Sequence, residues 1–139
     1  MRAIVAADEH WGIGKDNKLL VSIPQDMKFF RNETTGKVII MGRKTLESFP
    51  NARPLPNRKN IVLTRDMSYT VKDATVVHSV EEALAAVSEY PSDMVYCIGG
   101  DSIYSQFLEH CDTVFVTRIG FTYEADAFFP DLDKHPDWK

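Results

Sequence analysis

Residues 38–45 have the sequence VIIMGRKT. The first four side chains form an uninterrupted apolar run rich in β-branched residues, which predicts a strand buried on both faces. Gly42 ends the run, and a helical pattern follows from Lys44. A buried strand that passes directly into a helix is typical of βα units, so this stretch predicts an α/β domain with a largely parallel sheet.

The same alternation of short apolar runs and helical patterns extends along the chain. Strands are predicted at residues 2–7, 37–41, 60–63, 75–77, 94–98 and 113–119, and helices at residues 24–32, 44–49, 80–88 and 102–108. Ser79 lies three residues before Glu82, and Ser22 three before Gln25, so both pairs fit a capping box. The expected fold is α/β, with a mostly parallel, twisted central sheet flanked by about four helices in a single domain.

The composition argues against several classes of protein. The chain has 139 residues and a formal net charge of -4, which suits one globular domain and gives no basic field for nucleic acid. Cys97 and Cys111 have neither metal-ligand spacing nor a disulfide framework, so both are expected to be reduced thiols. The apolar start is too short for a signal peptide, and no apolar stretch approaches a membrane span. A cytoplasmic protein without nucleic-acid or membrane partners is predicted.

Asp26 is the acid that most strongly suggests a site. It lies near the start of the predicted helix 24–32, where residues four apart share a face, so Asp26 and Phe30 are expected to point the same way with Met27 beside them. A carboxylate among apolar side chains can accept paired N–H bonds from an amino-substituted nitrogen heterocycle. An acid in a first helical turn is also common at a surface, where the macrodipole favours it. The helix alone leaves both interpretations open.

Three predicted strand ends carry residues suited to an anion. They are Gly42, Arg43, Lys44 and Thr45 after the strand 37–41, Leu63, Thr64 and Arg65 at the end of the strand 60–63, and Gly99 and Gly100 after the strand 94–98. Each could also be an ordinary turn. The third glycine and the ribose-binding acid of the Rossmann fingerprint are missing, which argues against a standard NAD domain. Together the three ends predict a large phosphorylated cofactor, and cations in place of the ribose acid favour NADPH over NADH.

Residues 8–23, 50–59 and 123–139 fit neither pattern and are predicted to be irregular. Long irregular loops in a compact α/β domain are usually functional or disordered. The first follows the carboxyl end of a strand, where such sheets bind ligands, and contains Gly12 and Gly14 on either side of Ile13. The second is stiffened by prolines and presents Arg58 either to a ligand or to solvent.

No pattern supports a nucleophilic or metal-dependent enzyme. The serines and cysteines lie in no nucleophile elbow, and His10, His78, His110 and His135 have no metal-ligand spacing. What remains is an acid expected to be buried, an arginine able to reach a ligand, and a dinucleotide site. Hydride transfer uses such a set of groups, because the cofactor carries the chemistry and the protein orients the reactants.

A series of motifs occurs in order between residues 3 and 138. They are Ala6-Ala7, Gly12-Ile13-Gly14, Asn17, Pro24-Gln25-Asp26, Met41-Gly42-Arg43-Lys44-Thr45, Pro54-Leu55-Pro56, Arg58-Lys59-Asn60, Ile98-Gly99-Gly100, Tyr104, Thr117, and Asp126 before Phe129-Pro130. In their order and spacing they closely resemble the bacterial dihydrofolate reductases. The resemblance covers nearly the whole chain and selects the functional interpretation of Asp26.

The resemblance implies a pterin held by Asp26, whose carboxylate would bind the N3 and 2-amino edge with help from Thr117. Arg58 would pair with the glutamate carboxylate of the substrate. The slot for the pterin and benzoyl rings would be lined by Val5, Met27, Phe30, Phe49 and Leu55. The implied NADPH site comprises Ala6, Ile13, Gly14, Gly42, Arg43, Lys44, Thr45, Leu63, Thr64, Arg65, Ile98, Gly99, Gly100 and Tyr104. The Gly99–Gly100 peptide is expected to be cis, as in the family.

The implied activity is NADPH-dependent reduction of 7,8-dihydrofolate to tetrahydrofolate, by hydride transfer to C6 and protonation of N5. Asp26 would lie too far from N5 to protonate it directly, so it is expected to bind and polarise the pterin while water delivers the proton. Inhibition by antifolates, a monomeric state and the absence of a bound metal are also expected.

Two differences from the family bear on these expectations. Its members commonly carry Pro-Trp where this chain has Leu20-Val21, which affects the expected loop closure and proton delivery. They also continue for about twenty residues past Lys139, through a hairpin, so either the chain continues beyond Lys139 or it is a C-terminally truncated form in which residues 113–119 become an exposed edge strand. Two alternatives stay open: a related aminopyrimidine reductase of riboflavin synthesis, against which Asp26 and Arg58 argue, and a non-catalytic NADPH-binding domain.

Overall fold

The computed structural model describes residues 1–7, 10–15, 18–19, 24–118, 127–130 and 132. Its strands are β1 (Arg2–Ala7), β2 (Gly12–Lys15), β3 (Lys18–Leu19), β4 (Val38–Gly42), β5 (Lys59–Leu63), β6 (Ala74–Val77), β7 (Val95–Gly99), β8 (Thr113–Arg118) and β9 (Ala127–Phe128). Its helices are α1 (Pro24–Thr34), α2 (Arg43–Glu47), α3 (Val80–Ala86) and α4 (Asp101–Phe107), with single 3-10 turns at Pro50–Ala52, Ser92–Met94 and Leu108–His110.

Six strands form a parallel central sheet in the order β6-β5-β4-β7-β1-β8. β4 lies inside this sheet between β5 and β7, and Ile39, Ile40 and Met41 have no exposed surface. The unbroken apolar run of β4 is therefore explained by burial of both faces, since alternate side chains of a strand point to opposite sides of the sheet.

Two apolar layers enclose the sheet. On one face, Ile40 and Cys97 pack with Ala83 of α3 and with Ile103 and Phe107 of α4. The other face is covered by a second cluster, in which Ile39, Met41 and Val62 meet Leu46 of α2 and the half-buried Phe30 of α1. The chain moves across the sheet from β1 through β4 to β6 and then back through β7 to β8, so right-handed crossovers place α1 and α2 on one face and α3 and α4 on the other. This arrangement leaves the carboxyl ends of the strands free to form a site.

The predicted central fold is confirmed: all six predicted strands and all four predicted helices are present, with bounds that agree to within two residues over the described positions. Ile119, predicted to end the last strand, lies outside the described residues. Among the described strands, β8 is the last of the sheet on one side, next to β1.

The prediction of irregular structure at residues 8–23 and 123–139 is wrong in part. β2, β3 and β9 form a small antiparallel sheet in the order β3-β2-β9 within those segments. These strands have two to four residues and include Gly12 and Gly14, so they carry too little apolar alternation to be recognised. β3 pairs with its neighbour β2, whereas β9 pairs with β2 from a distant part of the chain, a contact that the local sequence does not encode.

One of the two predicted capping boxes lies in the described structure. Ser79 is the N-cap of α3, and its Oγ accepts the Glu82 main-chain N–H at 3.1 Å. The reciprocal bond differs from the prediction, because the Glu82 carboxylate accepts from the main-chain N–H of His78 instead of Ser79. Ser22 of the other box lies outside the described residues. No helix in the described part of the chain is both long and apolar enough to cross a bilayer.

Candidate active site

A cleft of about 1170 Å³ opens at the carboxyl ends of the parallel strands. Its lining includes residues near the ends of four strands: Ala6 of β1, Gly42 of β4, Leu63 of β5 and Gly99 of β7. His78, which directly follows β6, also lines the cleft. Parallel sheets place their ligands at this edge. The volume exceeds the range of about 300–1,000 Å³ usual for one drug-sized ligand, so the cleft has room for a substrate and a cofactor side by side.

Most of the residues predicted for the two sites meet in this one cleft. Its described lining includes Val5, Ala6, Ile13, Met27, Phe30, Gly42, Arg43, Lys44, Thr45, Phe49, Leu55, Arg58, Leu63, Thr64, Arg65, Ile98, Gly99, Gly100 and Tyr104. Segments far apart in the chain are therefore brought to a common surface by the parallel sheet. The convergence is a property of the fold, since no local pattern in the sequence contains it.

Three predicted site residues are not on the described lining. Asp26 belongs to α1, but its side chain lies outside the described part of the structure. Gly14 lies in β2, opposite Leu19 of β3. Thr117 lies in β8, in register with Ala6 of β1, and is half-buried. Leu20 and Val21 also fall outside the described residues.

The end of the cleft beside α1 is apolar. Met27 and Phe30 come from α1, while Phe49 and Leu55 come from the connection between α2 and β5. Phe30, Phe49 and Leu55 are half-buried against the core cluster that covers this face of the sheet, whereas Met27 is 54% exposed. An aromatic and thioether lining of this kind suits a flat heterocycle, because ring faces and polarisable sulfur pack well on it.

Arg58 lies at this apolar end with its guanidinium held by three acceptors. Its Nε donates to Thr34 Oγ1 at 2.8 Å, its Nη1 to the Pro56 carbonyl at 2.8 Å, and its Nη2 to Thr35 Oγ1 at 3.5 Å. A guanidinium has five N–H groups, so one on each terminal nitrogen remains for a ligand. Two parallel N–H donors match a carboxylate in a bidentate pair.

The environment of Arg58 favours an anionic partner. Burial, and then the positive charge of Arg31, lower the pKa of the Arg58 guanidinium from its ordinary value. Both residues line the cleft, and the Arg58 guanidinium also lies 5.9 Å from the centre of the Phe30 ring. An incoming carboxylate would offset the repulsion between the two cations, so the electrostatics of this end suit an acid group on the ligand.

Asn60 fixes the loop that carries Arg58. Its side chain is 2% exposed, and it donates to the carbonyl oxygens of Leu55 at 2.9 Å and of Arg58 at 3.1 Å. Its Oδ1 accepts the Leu55 main-chain N–H at 3.0 Å. Because the buried amide makes all three of these hydrogen bonds to the main chain, it holds the loop between Leu55 and Arg58 in one conformation. Sequence reasoning used Asn60 as part of a motif but gave it no positioning role.

Glycines shape the opposite part of the cleft. A Cβ on Gly42 would lie 3.1 Å from Ile103 Cγ1, closer than a well-packed neighbour allows without movement. Gly99 has φ +127°, a backbone conformation that favours glycine. Its peptide with Gly100 is cis, as predicted. Tyr104 of α4 is buried against this turn, and its hydroxyl donates to the Ile4 carbonyl at 2.7 Å. Main chain therefore lines this surface where an extended cofactor could approach it.

Arg43 is already engaged with protein groups. Its Nη1 lies 3.2 Å from Asp66 Oδ2, and its guanidinium stacks 4.3 Å from the centre of the Tyr69 ring. Hydrogen bonds from Ser68, and then the charge of Arg43, lower the pKa of the Asp66 carboxyl. The predicted phosphate contact of Arg43 would have to coexist with this pair or replace it.

His78 and Ser79 line the cleft although they were not predicted to be site residues. Both follow the strand predicted at residues 75–77. Thr64 and Arg65 were predicted to be site residues because they lie at the same position, just after the carboxyl end of a strand. His78 Nδ1 lies 3.0 Å from the main-chain oxygen of Thr64. The position of the histidine directly after a parallel strand was the signal that could have identified it.

The charge of the lining contrasts with that of the chain. The whole chain carries a net charge of -4, yet the described lining has one acidic residue, Asp101, and six lysines or arginines: Lys28, Arg31, Arg43, Lys44, Arg58 and Arg65. A cationic cleft concentrates anionic ligands. Within the described residues no group of three His, Cys, Asp or Glu side chains could hold a metal ion.

Comparisons with known proteins agree with this geometry. The family model for dihydrofolate reductase matches residues 1–139. The dihydrofolate reductase of Staphylococcus haemolyticus is 40% identical over 136 residues, which are 98% of this chain and 79% of that protein. That of Bacillus subtilis is also 40% identical over 136 residues, or 98% of this chain and 78% of the relative. A solved dihydrofolate reductase from Enterococcus faecalis, complexed with NADP(H) and RAB-propyl, superposes with a TM-score of 0.85 and 41% identity. The superposed region covers 94% of this chain and 76% of the Enterococcus faecalis chain.

The parallel sheet, with its cationic, glycine-lined cleft joined to an apolar slot, defines a nucleotide-dependent oxidoreductase of the α/β class. Within that class, the chain belongs to the dihydrofolate reductase family. It is an NADPH-dependent enzyme that reduces dihydrofolate to tetrahydrofolate. The predictions of the family, the fold, the activity and the cofactor are confirmed, whereas the roles of individual site residues stay predictions.

Proposed function

We propose that the two parts of the cleft divide the ligands between them, with dihydrofolate at the α1 end and NADPH along the glycine-lined strand ends. The observation that carries this proposal is the joining of two unlike surfaces in one cavity of about 1170 Å³. One surface is apolar and ends at Arg58, and the other is built of main chain and cations. A flat, acid-tailed substrate and a polyphosphate cofactor require those two surfaces.

Asp26 is proposed to bind the amidine edge of the pterin. Position 26 lies one helical turn before Phe30 in α1, and residues four apart on a helix share a face. Phe30 lines the cleft, so that face of α1 is turned toward it. A carboxylate there would accept two N–H bonds from N3 and the 2-amino group, and its fixed negative charge would favour positive charge on the ring. Thr117 is proposed to assist at the same edge.

Arg58 is proposed to bind the glutamate carboxylate of the substrate. Its guanidinium is oriented by Thr34, Thr35 and the Pro56 carbonyl, and it retains one N–H on each terminal nitrogen. The rings between the pterin edge and the carboxylate would pack on Val5, Met27, Phe30, Phe49 and Leu55. Asp26 and Arg58 would thus fix the two ends of one substrate and place C6 at the boundary between the two parts of the cleft.

The residues at the strand ends fit the cofactor. Arg65, Thr64 and Lys44 offer donors to phosphate groups, and Gly42, Gly99 and Gly100 leave main chain without side chains at the surface of the cleft, where a cofactor can approach closely. Ala6, Ile13, Gly14, Thr45, Leu63, Ile98 and Tyr104 complete the proposed NADPH site, with Arg43 near its phosphates. NADPH supplies the hydride when it is bound; the protein residues orient, exclude water and stabilise charge.

The N5 proton is proposed to come from water. Asp26 recognises the opposite edge of the pterin, so its part is to raise the basicity of N5 by holding negative charge beside the ring.

Turnover of NADPH with dihydrofolate is the assay that tests the proposed function. Consumption of NADPH that a diaminopyrimidine antifolate blocks is the expected result. NADPH binding without turnover would select the non-catalytic alternative. Turnover with an aminopyrimidine intermediate of riboflavin synthesis, but none with dihydrofolate, would select the related reductase.

We further propose that residues 1–139 act as a single domain, in a monomer located in the cytoplasm, without nucleic-acid partners. The net charge of -4 argues against nucleic-acid partners. Both proposed ligand surfaces lie in one chain, which supports a single domain that acts as a monomer. Light scattering during gel filtration would measure the oligomeric state.

A further inference from the structure

Tyr96 places a hydroxyl group inside an otherwise apolar strand, on the face of the sheet that α1 covers. It is the second residue of β7, is 1% exposed, and packs in the same apolar cluster as Phe30 of α1. A buried hydroxyl costs free energy unless it is hydrogen-bonded. Phenylalanine would fill nearly the same space, so what distinguishes tyrosine here is the set of hydrogen bonds that its hydroxyl makes.

Two charged side chains fix the direction of those hydrogen bonds. Arg2 Nη1 lies 3.1 Å from the Tyr96 hydroxyl oxygen, and Glu33 Oε2 lies 2.9 Å from it. A guanidinium can only donate, so the hydroxyl oxygen accepts from Arg2 and its own hydrogen is donated to the Glu33 carboxylate. Burial raises the pKa of the Tyr96 hydroxyl from its ordinary value, which keeps this hydrogen in place. Tyr96 is therefore a hydrogen-bond donor to α1.

The sheet holds the Tyr96 ring in one orientation. Arg2 of β1 lies opposite Tyr96 in the pairing of β1 with β7, and its guanidinium is 5.9 Å from the centre of the Tyr96 ring. The ring also stacks with Phe115 of β8, with 6.3 Å between the two centres. Residues of three neighbouring strands thus fix the ring, so its hydroxyl is a rigid attachment point for the helix packed above it.

The turn of α1 that Tyr96 holds is also the turn that holds Arg58. Glu33 precedes Thr34, whose Oγ1 accepts from Arg58 Nε at 2.8 Å. Just after the helix, the main-chain N–H of Gly36 donates to the carbonyl oxygen of Asn57 at 2.8 Å. A displacement of this turn would therefore move both an acceptor of the Arg58 guanidinium and the residue before Arg58 in its loop.

We propose that Tyr96 is a positioning residue for Arg58: its hydroxyl holds Glu33, and thereby the last turn of α1, so that the guanidinium is oriented toward the acid tail of the substrate. The inference rests on the proposed contact between Arg58 and the glutamate carboxylate of the substrate. Neither Tyr96 nor Glu33 belongs to the described lining of the cleft, so their effect on the substrate has to pass through α1.

The test compares two substrates that share the pterin ring. Dihydrofolate has the benzoylglutamate tail, whereas 6-methyl-7,8-dihydropterin has no acid tail. Steady-state kinetics with saturating NADPH gives kcat/KM for each, and the ratio of the two values measures how much the tail contributes. A loss of stability alone would lower neither this ratio nor the KM for dihydrofolate in the folded protein.

Three variants separate the parts of the contact. Tyr96→Phe removes the donor, Glu33→Ala removes the acceptor, and Glu33→Gln keeps an acceptor oxygen without the charge. Tyr90→Phe is the matched control, because it removes the same hydroxyl from a surface contact, in which Lys59 Nζ lies 3.3 Å from the Tyr90 oxygen.

The ratio should fall by about three- to fivefold in Tyr96→Phe and in Glu33→Ala, less than the full effect of one hydrogen bond to a charged group, because the contact acts on Arg58 through the helix. The fall should come from the KM for dihydrofolate, with kcat changed by less than about twofold. Glu33→Gln and Tyr90→Phe should match the unmodified protein to within about 1.5-fold, since the first keeps the acceptor and the second lies outside the contact. The double variant Tyr96→Phe/Glu33→Ala should fall no further than either single variant, because both changes remove the same bond.

An unchanged ratio in Tyr96→Phe would overturn the inference, even if its free energy of unfolding in urea is lower, and would leave Tyr96 a structural role alone. Equal losses of kcat/KM with both substrates would overturn it as well. If Tyr96→Phe does not fold, the comparison of Glu33→Ala with Glu33→Gln decides in the same way, since Glu33 is half-buried and not in the core. A ratio that Arg58→Lys does not lower would instead overturn the proposed contact between Arg58 and the substrate tail.

Discussion

Replacing Thr34 by valine should weaken substrate binding although Thr34 touches no part of the substrate in the proposed arrangement. Thr34 has no exposed surface, and its Oγ1 accepts from Arg58 Nε at 2.8 Å while its hydroxyl hydrogen is donated to the Phe30 carbonyl at 2.8 Å. Valine has nearly the same shape and keeps the packing. It removes the acceptor and leaves the Nε–H of a charged, half-buried guanidinium without this partner.

The size of the effect follows from that single bond. A hydrogen bond to a charged group contributes about 1.5–3 kcal/mol; because this bond exists before the substrate binds, substrate binding loses only the part that keeps Arg58 oriented, about 1–1.5 kcal/mol. The KM for dihydrofolate should therefore rise by about five- to tenfold. The KM for NADPH should stay the same, because the cofactor lies along the strand ends, and kcat should change by less than about twofold.

Thr35→Val is the matched control. Thr35 is the next residue, is exposed, and accepts from Arg58 Nη2 at the longer distance of 3.5 Å. Its replacement should raise the KM for dihydrofolate by less than about twofold, since a bond of that length contributes little. Equal effects of the two variants, or a larger fall in kcat than rise in KM for Thr34→Val, would refute the positioning role of Thr34.

Three further predictions concern neighbouring groups. Arg58→Lys should raise the KM for dihydrofolate by more than about thirtyfold in steady-state kinetics, because an ammonium cannot form the bidentate pair; an effect smaller than that of Thr34→Val would contradict the assignment. Asn60→Asp should lower the free energy of unfolding in urea by about 2–4 kcal/mol, because a carboxylate would face the carbonyl oxygens that the buried Asn60 amide now donates to. Unchanged stability would show that the hydrogen bonds of Asn60 are not needed to hold the loop that carries Arg58. Burial raises the pKa of the Cys111 thiol to about 11, so near pH 8 iodoacetamide should alkylate it about a hundredfold more slowly in the folded protein than in urea, with the rate rising toward pH 11. Equal rates in both states would exclude the shift.

The sequence determined the central sheet because every parallel strand carries its own signal. Ile39, Ile40 and Met41 are apolar without alternation, since both faces of β4 are buried. The small sheet of β2, β3 and β9 gave no such signal. Its strands have only two to four residues, β2 contains two glycines, and β9 pairs with β2 from more than one hundred residues away.

The same distinction separates the predicted from the unpredicted parts of the site. The proline-stiffened loop left Arg58 open between a ligand contact and a solvated side chain, and the family resemblance selected the ligand contact. The groups that orient it, Thr34 at the end of a helix and Asn60 in β5, look ordinary in the sequence, and their function depends on contacts across the fold. His78 was set aside with the other histidines for lack of metal spacing, although its place after a strand was visible.

The proposed role of Asp26 is tested most directly by the rate of NADPH consumption with dihydrofolate for the unmodified protein and for Asp26→Asn near neutral pH. The variant should keep its fold, by circular dichroism, and its affinity for NADPH, but kcat should fall by at least about a hundredfold, because the amide carries no charge to support the pterin. A kcat equal to that of the unmodified protein would contradict the assignment of Asp26 as the group that binds and polarises the substrate.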